Sequence, residues 1–301
     1  MKTFDFMGHR KVALAISCVM LVVAITSLTL KQLNWGLDFT GGTLLELHFS
    51  EPVDIGGLRQ SIADAGQPGA VVVSYGTDRD ALIRLPQSVP EAASSALISA
   101  IKQQVDPALE LKRQEFVGPQ VGEELREQGG LAMLLACGCI MLYISFRFQA
   151  RFAVAAVAAL THDVIITLGF FSLTGMEFNL TVLAAILAVI GYSINDTIVV
   201  FDRIRENFRK LRNTSVPDTI NTSLSETMDR TLATSFTTIL VLLALALLGG
   251  DMILGFATAL LVGIGVGTYS SIFVASSLLQ TLGVSRQDLL PPQPEENDAQ
   301  P

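Results

Sequence analysis

Four ionisable side chains stand inside stretches that are otherwise apolar, and these are where chemistry has to be sought. Asp196 lies in Gly191-Tyr-Ser-Ile-Asn-Asp-Thr197, with the polar Asn195 beside it; His162 and Asp163 lie midway along another apolar stretch; Arg230 opens a third. A charge at the centre of a membrane helix costs about 2.5–3.5 kcal/mol or more, so such residues face protein or water and mark ion and proton paths. A carboxyl group that alternates between burial and pairing with a cation alternately binds and releases a proton. Asp196 and Arg230 are the candidate pair for that work, with Asp163 and Asn195 as candidate members of the same relay. Each has a plainer reading: Asp196 as a packing acid, Arg230 as a snorkelling arginine, and His162 as a packed, hydrogen-bonded histidine.

Depth makes the pair plausible. If the helix of Asp196 runs inward over residues 180–201, the acid is about 8 Å from its cytoplasmic end, at about 1.5 Å per residue. The helix that Arg230 opens starts from the same side, so the guanidinium can reach inward. Ala184, Ala188, Gly191 and Asn195 form a small-residue stripe, and Gly263 and Gly267 form a GxxxG spacing; both let helices approach closely and are expected to put Asp196 against protein. Thr231, Thr234, Ser235, Thr237 and Thr238 offer a hydroxyl lining suited to water or proton transfer.

No nucleophile–His–acid set, P-loop or metal-ligand cluster is present, so the chain reads as no enzyme and as needing no cofactor or metal. Gly36-Leu-Asp-Phe-Thr-Gly-Gly42 precedes a strand, whereas a phosphate loop follows one, and its glycines read as turn formers. Cys18, Cys137 and Cys139 all fall in apolar segments.

The elements that must position these residues follow from composition. Half of the 301 residues are hydrophobic, 16% are charged, and the mean hydropathy is +0.50. The depletion of charge is local, to residues 12–30, 131–149, 152–175, 180–201, 231–250 and 252–282. Runs of this kind span a bilayer as helices, because backbone hydrogen bonds must be satisfied internally. The first has a basic flank but no A-x-A cleavage site, so it reads as a retained anchor. Lys and Arg concentrate in residues 1–11, in the loop 147–151 and in the loop 202–230, and are absent around 176–179 and 249–251, which places both termini in the cytoplasm. The net charge of −8 comes from the external domain and the tail and gives no reason to expect a nucleic-acid partner.

Residues 31–130 must then lie outside as one domain and its linker. Strand 43–49, helix 54–65, strand 70–75, turn 76–80, strand 81–85, a helix from Pro90 to Val105 and strand 109–116 give β-α-β-β-α-β, the ferredoxin-like pattern. Val117–Gly130 reads as the link to the second membrane helix. Val216, Ile220, Leu224 and Met228 are spaced for a separate helix along the cytoplasmic face. Residues 285–301 are acidic and Pro-rich and read as a disordered tail.

Gly191-Tyr-Ser-Ile-Asn-Asp-Thr-Ile-Val-Val-Phe-Asp-Arg-Ile-Arg-Glu-Asn207 resembles the signature of the SecF family of protein-export membrane proteins. Gly36–Gly42, Val117-Gly-Pro-Gln-Val-Gly-Glu-Glu-Leu125 and Thr161-His-Asp-Val164 agree with it, in order, over nearly all of the chain. The resemblance implies a six-helix bundle that is half of a resistance–nodulation–division transporter, with a periplasmic domain, in the bacterial inner membrane. It implies use of the proton-motive force to draw unfolded secretory polypeptides through the SecYEG channel, with SecD as companion half and SecA and YajC as further partners. The family's membrane acid and arginine match Asp196 and Arg230. Two other classes stay open: half of a proton-coupled transporter of small molecules or lipids, and a non-transporting scaffold of a membrane complex.

Overall fold

The computed structural model describes residues 3–86, 91–211 and 213–284. The tail 285–301, the helix-opening Pro90 and one of the basic loop residues, Arg212, lie outside the described residues.

Helix α1 (Arg10–Leu30) leads to a short strand β1 (Asn34–Trp35) and a single turn α2 (Leu37–Thr40). The inserted domain follows as β2 (Gly42–His48), α3 (Ile55–Asp64), β3 (Val71–Tyr75), β4 (Thr77–Leu85), α4 (Glu91–Gln104) and β5 (Glu110–Val117). Its four strands pair antiparallel throughout in the order β3-β4-β2-β5. Alternation along β2 puts Leu45, Leu47 and Phe49 on the buried face, where they meet Leu58 and Ile62 of α3 and Leu97 and Ile101 of α4. Asp54 caps α3 by accepting from the amides of Gly56 at 3.0 Å and Gly57 at 2.9 Å. The helix expected to run to Val105 ends at Gln104, and Val105 is exposed.

The rest of the chain is helical: α5 (Pro119–Arg147), α6 (Ala150–Thr174), α7 (Leu180–Lys210), α8 (Val216–Leu248) and α9 (Asp251–Tyr269), the last prolonged by a π turn, Ser270–Ala275, and by α10 (Ser276–Thr281). A two-residue strand β6 (Glu177–Phe178) lies between α6 and α7. Among the described residues, six helices are long and apolar enough to cross a membrane. Three boundaries differ from the sequence expectation. The supposed linker 117–130 is mostly the first part of α5, since Pro119 sits in its first turn, where a missing N–H costs nothing. The supposed loop 202–230 is mostly helix, because α7 runs on to Lys210. The stripe 216–228 is no separate surface helix: it is the start of α8, and Ile220 and Leu224 are buried against Phe201, Ile204 and Phe208. An amphipathic stripe reports an apolar neighbour, and here that neighbour is protein.

The domain is tied to the helices at one junction. Strand β1 pairs parallel with β6, matching Asn34 with Glu177 and Trp35 with Phe178. Arg84 of β4 forms an ion pair with Glu177 at 2.5 Å and donates to the carbonyl of Trp35 at 3.3 Å. Trp35, Phe39 and Phe178 pack as an aromatic cluster, with centroids 5.4–5.8 Å apart.

Candidate intramembrane proton site

Helices α7 and α9 are in close contact because glycines face side chains across the interface. A Cβ on Gly267 would meet Ser193 at 3.1 Å, and one on Gly263 would overlap Val189. The GxxxG spacing of α9 therefore works as a packing face. The other stripe does not. Ala184, Ala188, Gly191 and Asn195 lie exposed on α7, and nothing stands within 4 Å of a Cβ placed on Gly191.

Asp196 is 3% exposed, and its Oδ2 has no hydrogen-bond partner among the described residues. Arg230 and Ser235 of α8 are its electrostatic neighbours. The expected ion pair with Arg230 is not made: among the described residues no salt bridge within 4.0 Å joins them, and Arg230 is exposed. Its guanidinium belongs instead to an open cleft of about 730 Å³ at the cytoplasmic end of α7 and α8, lined also by Asp202, Arg203, Glu206 and Glu226. Antiparallel helices bring the two ends together as expected. Arg230 starts the apolar part of α8, however, and it is exposed in a cleft lined by other charged residues. Asn195 is likewise absent from the site, because one step along a helix turns it to the exposed face.

Asp163 is the better-connected acid. It is fully buried, and its Oδ2 accepts from Ser193 Oγ of α7 at 2.6 Å and from Ser270 Oγ at 2.7 Å. Its Oδ1 is 2.9 Å from Nδ1 of His162, whose Nε2 is buried without a partner among the described residues. Three helices thus converge on one carboxyl group. The sequence reading missed Ser193 and Ser270; the available signal was a serine three residues before Asp196 and serine pairs at 270–271 and 276–277. The hydroxyl lining of α8 is divided: Thr231 and Ser235 are buried, with Ser235 Oγ 2.7 Å from Thr268 Oγ1 of α9, while Thr234 and Thr237 are exposed.

The glycine-rich motif has a role that sequence order concealed. Asp38 Oδ2 accepts from the amide of Leu180, the first residue of α7, at 2.8 Å. Asn179 Oδ1 accepts from Val182 N at 3.0 Å. Two of the orphan amides at the start of α7 are thus satisfied, one of them from outside the helix. Gly41 and Gly42 have φ of 67° and 124°, which L-residues rarely adopt, and they turn the chain from α2 into β2. Helix α5 crosses the turn so closely that a Cβ on Gly122 would stand 3.0 Å from Gly41 N. The helix that carries Asp196 is therefore capped by the segment that begins the external sheet.

Six apolar helices, acids buried among them and an extramembrane β-containing insertion after the first helix define a multi-pass membrane protein with an intramembrane titratable site. Residues 97–285 match the family of the protein export membrane protein SecD/SecF, C-terminal, and residues 26–53 match the SecD/SecF GG motif. Protein translocase subunit SecF of Pseudomonas aeruginosa is 50% identical over 97% of this chain and 95% of its own. The subunit of Vibrio alginolyticus is 50% identical over 99% and 96%. The crystal structure of SecDF from Thermus thermophilus, described as a translocon-associated membrane protein, superposes with a TM-score of 0.84 at 40% identity over 93% of this chain. A super-membrane-facing form of SecDF gives 0.71 at 39% identity. This chain spans 39% of the SecDF chain in each case. The chain belongs to the SecF family, and the insertion is periplasmic in a multi-pass inner-membrane topology.

Proposed function

We propose that this chain is the SecF-type half of a proton-driven device for Sec-dependent protein translocation across the inner membrane, a translocase subunit and not an enzyme. Family membership supports the translocation role, and the observation that carries the proton reading is Asp196: a buried carboxyl group with an oxygen that none of the described residues satisfies. Such a group is costly unless it changes protonation or partner. In this conformation Arg230 stands off in the cytoplasmic cleft, so pairing belongs to another step. A swing of Arg230 toward Asp196 would expel a proton, and withdrawal would favour uptake. The membrane potential supplies about 2.3 kcal/mol per charge per 100 mV, enough to bias two helix arrangements.

SecD is the partner we assign to the exposed face of α7 and α8. Asn195, Thr234 and Thr237 are polar, lie within apolar helices and face outward, which lipid would not reward. The solved SecDF chains are longer than this one, which accounts for 39% of their length, so they hold further protein beyond the part matched here. SecYEG, the unfolded secretory polypeptide, SecA and YajC come with the same reading. The periplasmic insertion is read as a ferredoxin-like split βαβ domain, supported by its strand order and its two helices packed into one core with the sheet. The junction of Asp38, Arg84 and β1–β6 is the path by which α7 would move it.

The test is Asp196→Asn in proteoliposomes holding this chain with SecD and the SecYEG channel. Export stimulated by a proton gradient should fall to the level seen without a gradient, while the complex assembles as before. Retained stimulation would leave a scaffold as the function.

A further inference from the structure

The node at Asp163 has a hydrogen-bond pattern that works in two protonation states. Its carboxyl group accepts from two serines and faces a histidine nitrogen, an arrangement that satisfies the carboxylate form. Ser270 has a second acceptor within reach, the carbonyl of Gly267 at 3.1 Å. One hydroxyl has one proton to give. When Asp163 is ionised, Ser270 donates to Oδ2. When a proton arrives on Oδ2, the new O–H can donate to Ser270 Oγ across the same 2.7 Å, while the Ser270 proton turns to Gly267. The node gains one proton and one unit of charge, no covalent bond other than the new O–H forms, and each of the two hydroxyl protons keeps an acceptor. A rotation of one hydroxyl replaces the costly unsatisfied group that proton uptake in a dry interior would otherwise leave.

The surroundings isolate this acid. Packed against α6 are α1, α5, α7, α9 with its π turn, and α10. The titratable side chains that these elements bring to this level are Asp196 on α7, one turn beyond Ser193, Tyr192 on α7, whose hydroxyl is 3.5 Å from Thr238 Oγ1, and Tyr269 on α9, which donates to Ala13 O at 2.6 Å. Cys18 and Cys139 on α1 and α5 are exposed, and Cys137 is half-buried. His162, adjacent in sequence, is the titratable group within hydrogen-bond distance of Asp163. Ser270 is also the first residue of the π turn, a local irregularity of the kind that often sits at functional sites.

We propose that Asp163 is a second proton-binding residue of the transport cycle, with Ser270 as the hydroxyl that adapts to both of its states. The proposal rests on the proton-driven reading of Asp196 and extends it: Asp163 of α6 is bonded to Ser193, which stands one turn before Asp196 on α7. A purely structural Asp163, clamping three helices, is the alternative to be separated.

Infrared difference spectroscopy between acidic and alkaline buffer separates them, using the full chain with its SecD partner in lipid. The wild type should show carboxylic-acid C=O bands on acidification. Asp163→Asn should lose one that Asp196→Asn keeps, and should lose gradient-stimulated export while the complex still assembles. If Asp163→Asn prevents assembly, Ser270→Ala keeps the acid and removes the rotor, and the pH at which that band appears should shift. Bands of Asp163→Asn identical to wild type, or a Ser270→Ala midpoint identical to wild type, would overturn the proposal. Absence of any gradient-driven gain in the wild type would instead strike the proton-driven reading, leaving the spectra to report on Asp163 alone.

Discussion

Replacing Asp38 by alanine tests whether the glycine-rich motif holds the helix that carries Asp196. The substitution removes the acceptor 2.8 Å from the amide of Leu180, the first residue of α7. Loss of a side-chain cap typically costs about 0.5–2 kcal/mol. An acidic group at a helix N-terminus contributes about 0.3–1 kcal/mol more through the helix dipole. Asp38→Asn keeps an acceptor and loses only the charge, so it should cost the smaller of these amounts. Asn179 is bonded to a different amide, that of Val182, so Asn179→Ala should add to Asp38→Ala within about 0.5 kcal/mol. The assay is amide hydrogen exchange of the assembled complex at the periplasmic start of α7. Where exchange follows local opening, a cap loss of about 0.5–2 kcal/mol accelerates it roughly 2- to 30-fold. The middle of α7, around Asp196, should keep its protection, because fraying falls off within the first turn. Unchanged exchange at residues 180–183 in Asp38→Ala would refute the capping role, whatever happened to export.

The remaining predictions concern other parts of the molecule. Hydrogen bonds from Thr77 and His48 hold the Asp80 carboxyl below the usual carboxylate range, and those from Ser50 and Ala108 do the same for Asp106. Their contributions to domain stability are complete above the ordinary aspartate value of about 3.9 and vanish as pH falls through the lower native values; circular dichroism melts of segment 31–117 should therefore lose stability only in acid, and Asp106→Asn should flatten that loss. Because Arg230 acts on Asp196 here only through space, with no ion pair within 4.0 Å among the described residues, Asp196→Asn and Arg230→Met should have effects on the thermal stability of the complex that add within about 0.5 kcal/mol; coupling well beyond that would show that the paired conformation dominates. Asn195→Leu should leave the chain folded but reduce co-purification with SecD; undiminished recovery would remove this face from the interface.

Much was legible in the sequence because the bilayer and the pleated sheet impose simple periods. Six apolar runs had to be helices, and the alternation of Leu45, Leu47 and Phe49 had to face a core. Local chemistry was also legible: the glycines at 41 and 42 read as turn formers, and their positive φ angles make the turn. What tertiary structure alone decided is which side of each helix meets protein. The stripe Ala184, Ala188, Gly191 and Asn195 is as small as the pair Gly263 and Gly267, yet one lies bare and the other is packed, because small size permits close approach without naming the neighbour. Asp163 gained Ser193 and Ser270 from helices 30 and 107 residues away in the chain, and α7 gained its cap from a residue 142 positions earlier. Arg230 and Asp196 were placed on the same side of the membrane by counting residues, but counting gives the reach of a side chain and not its direction. The sequence determines which groups are too costly to leave in lipid; only the packed helices determine what relieves the cost.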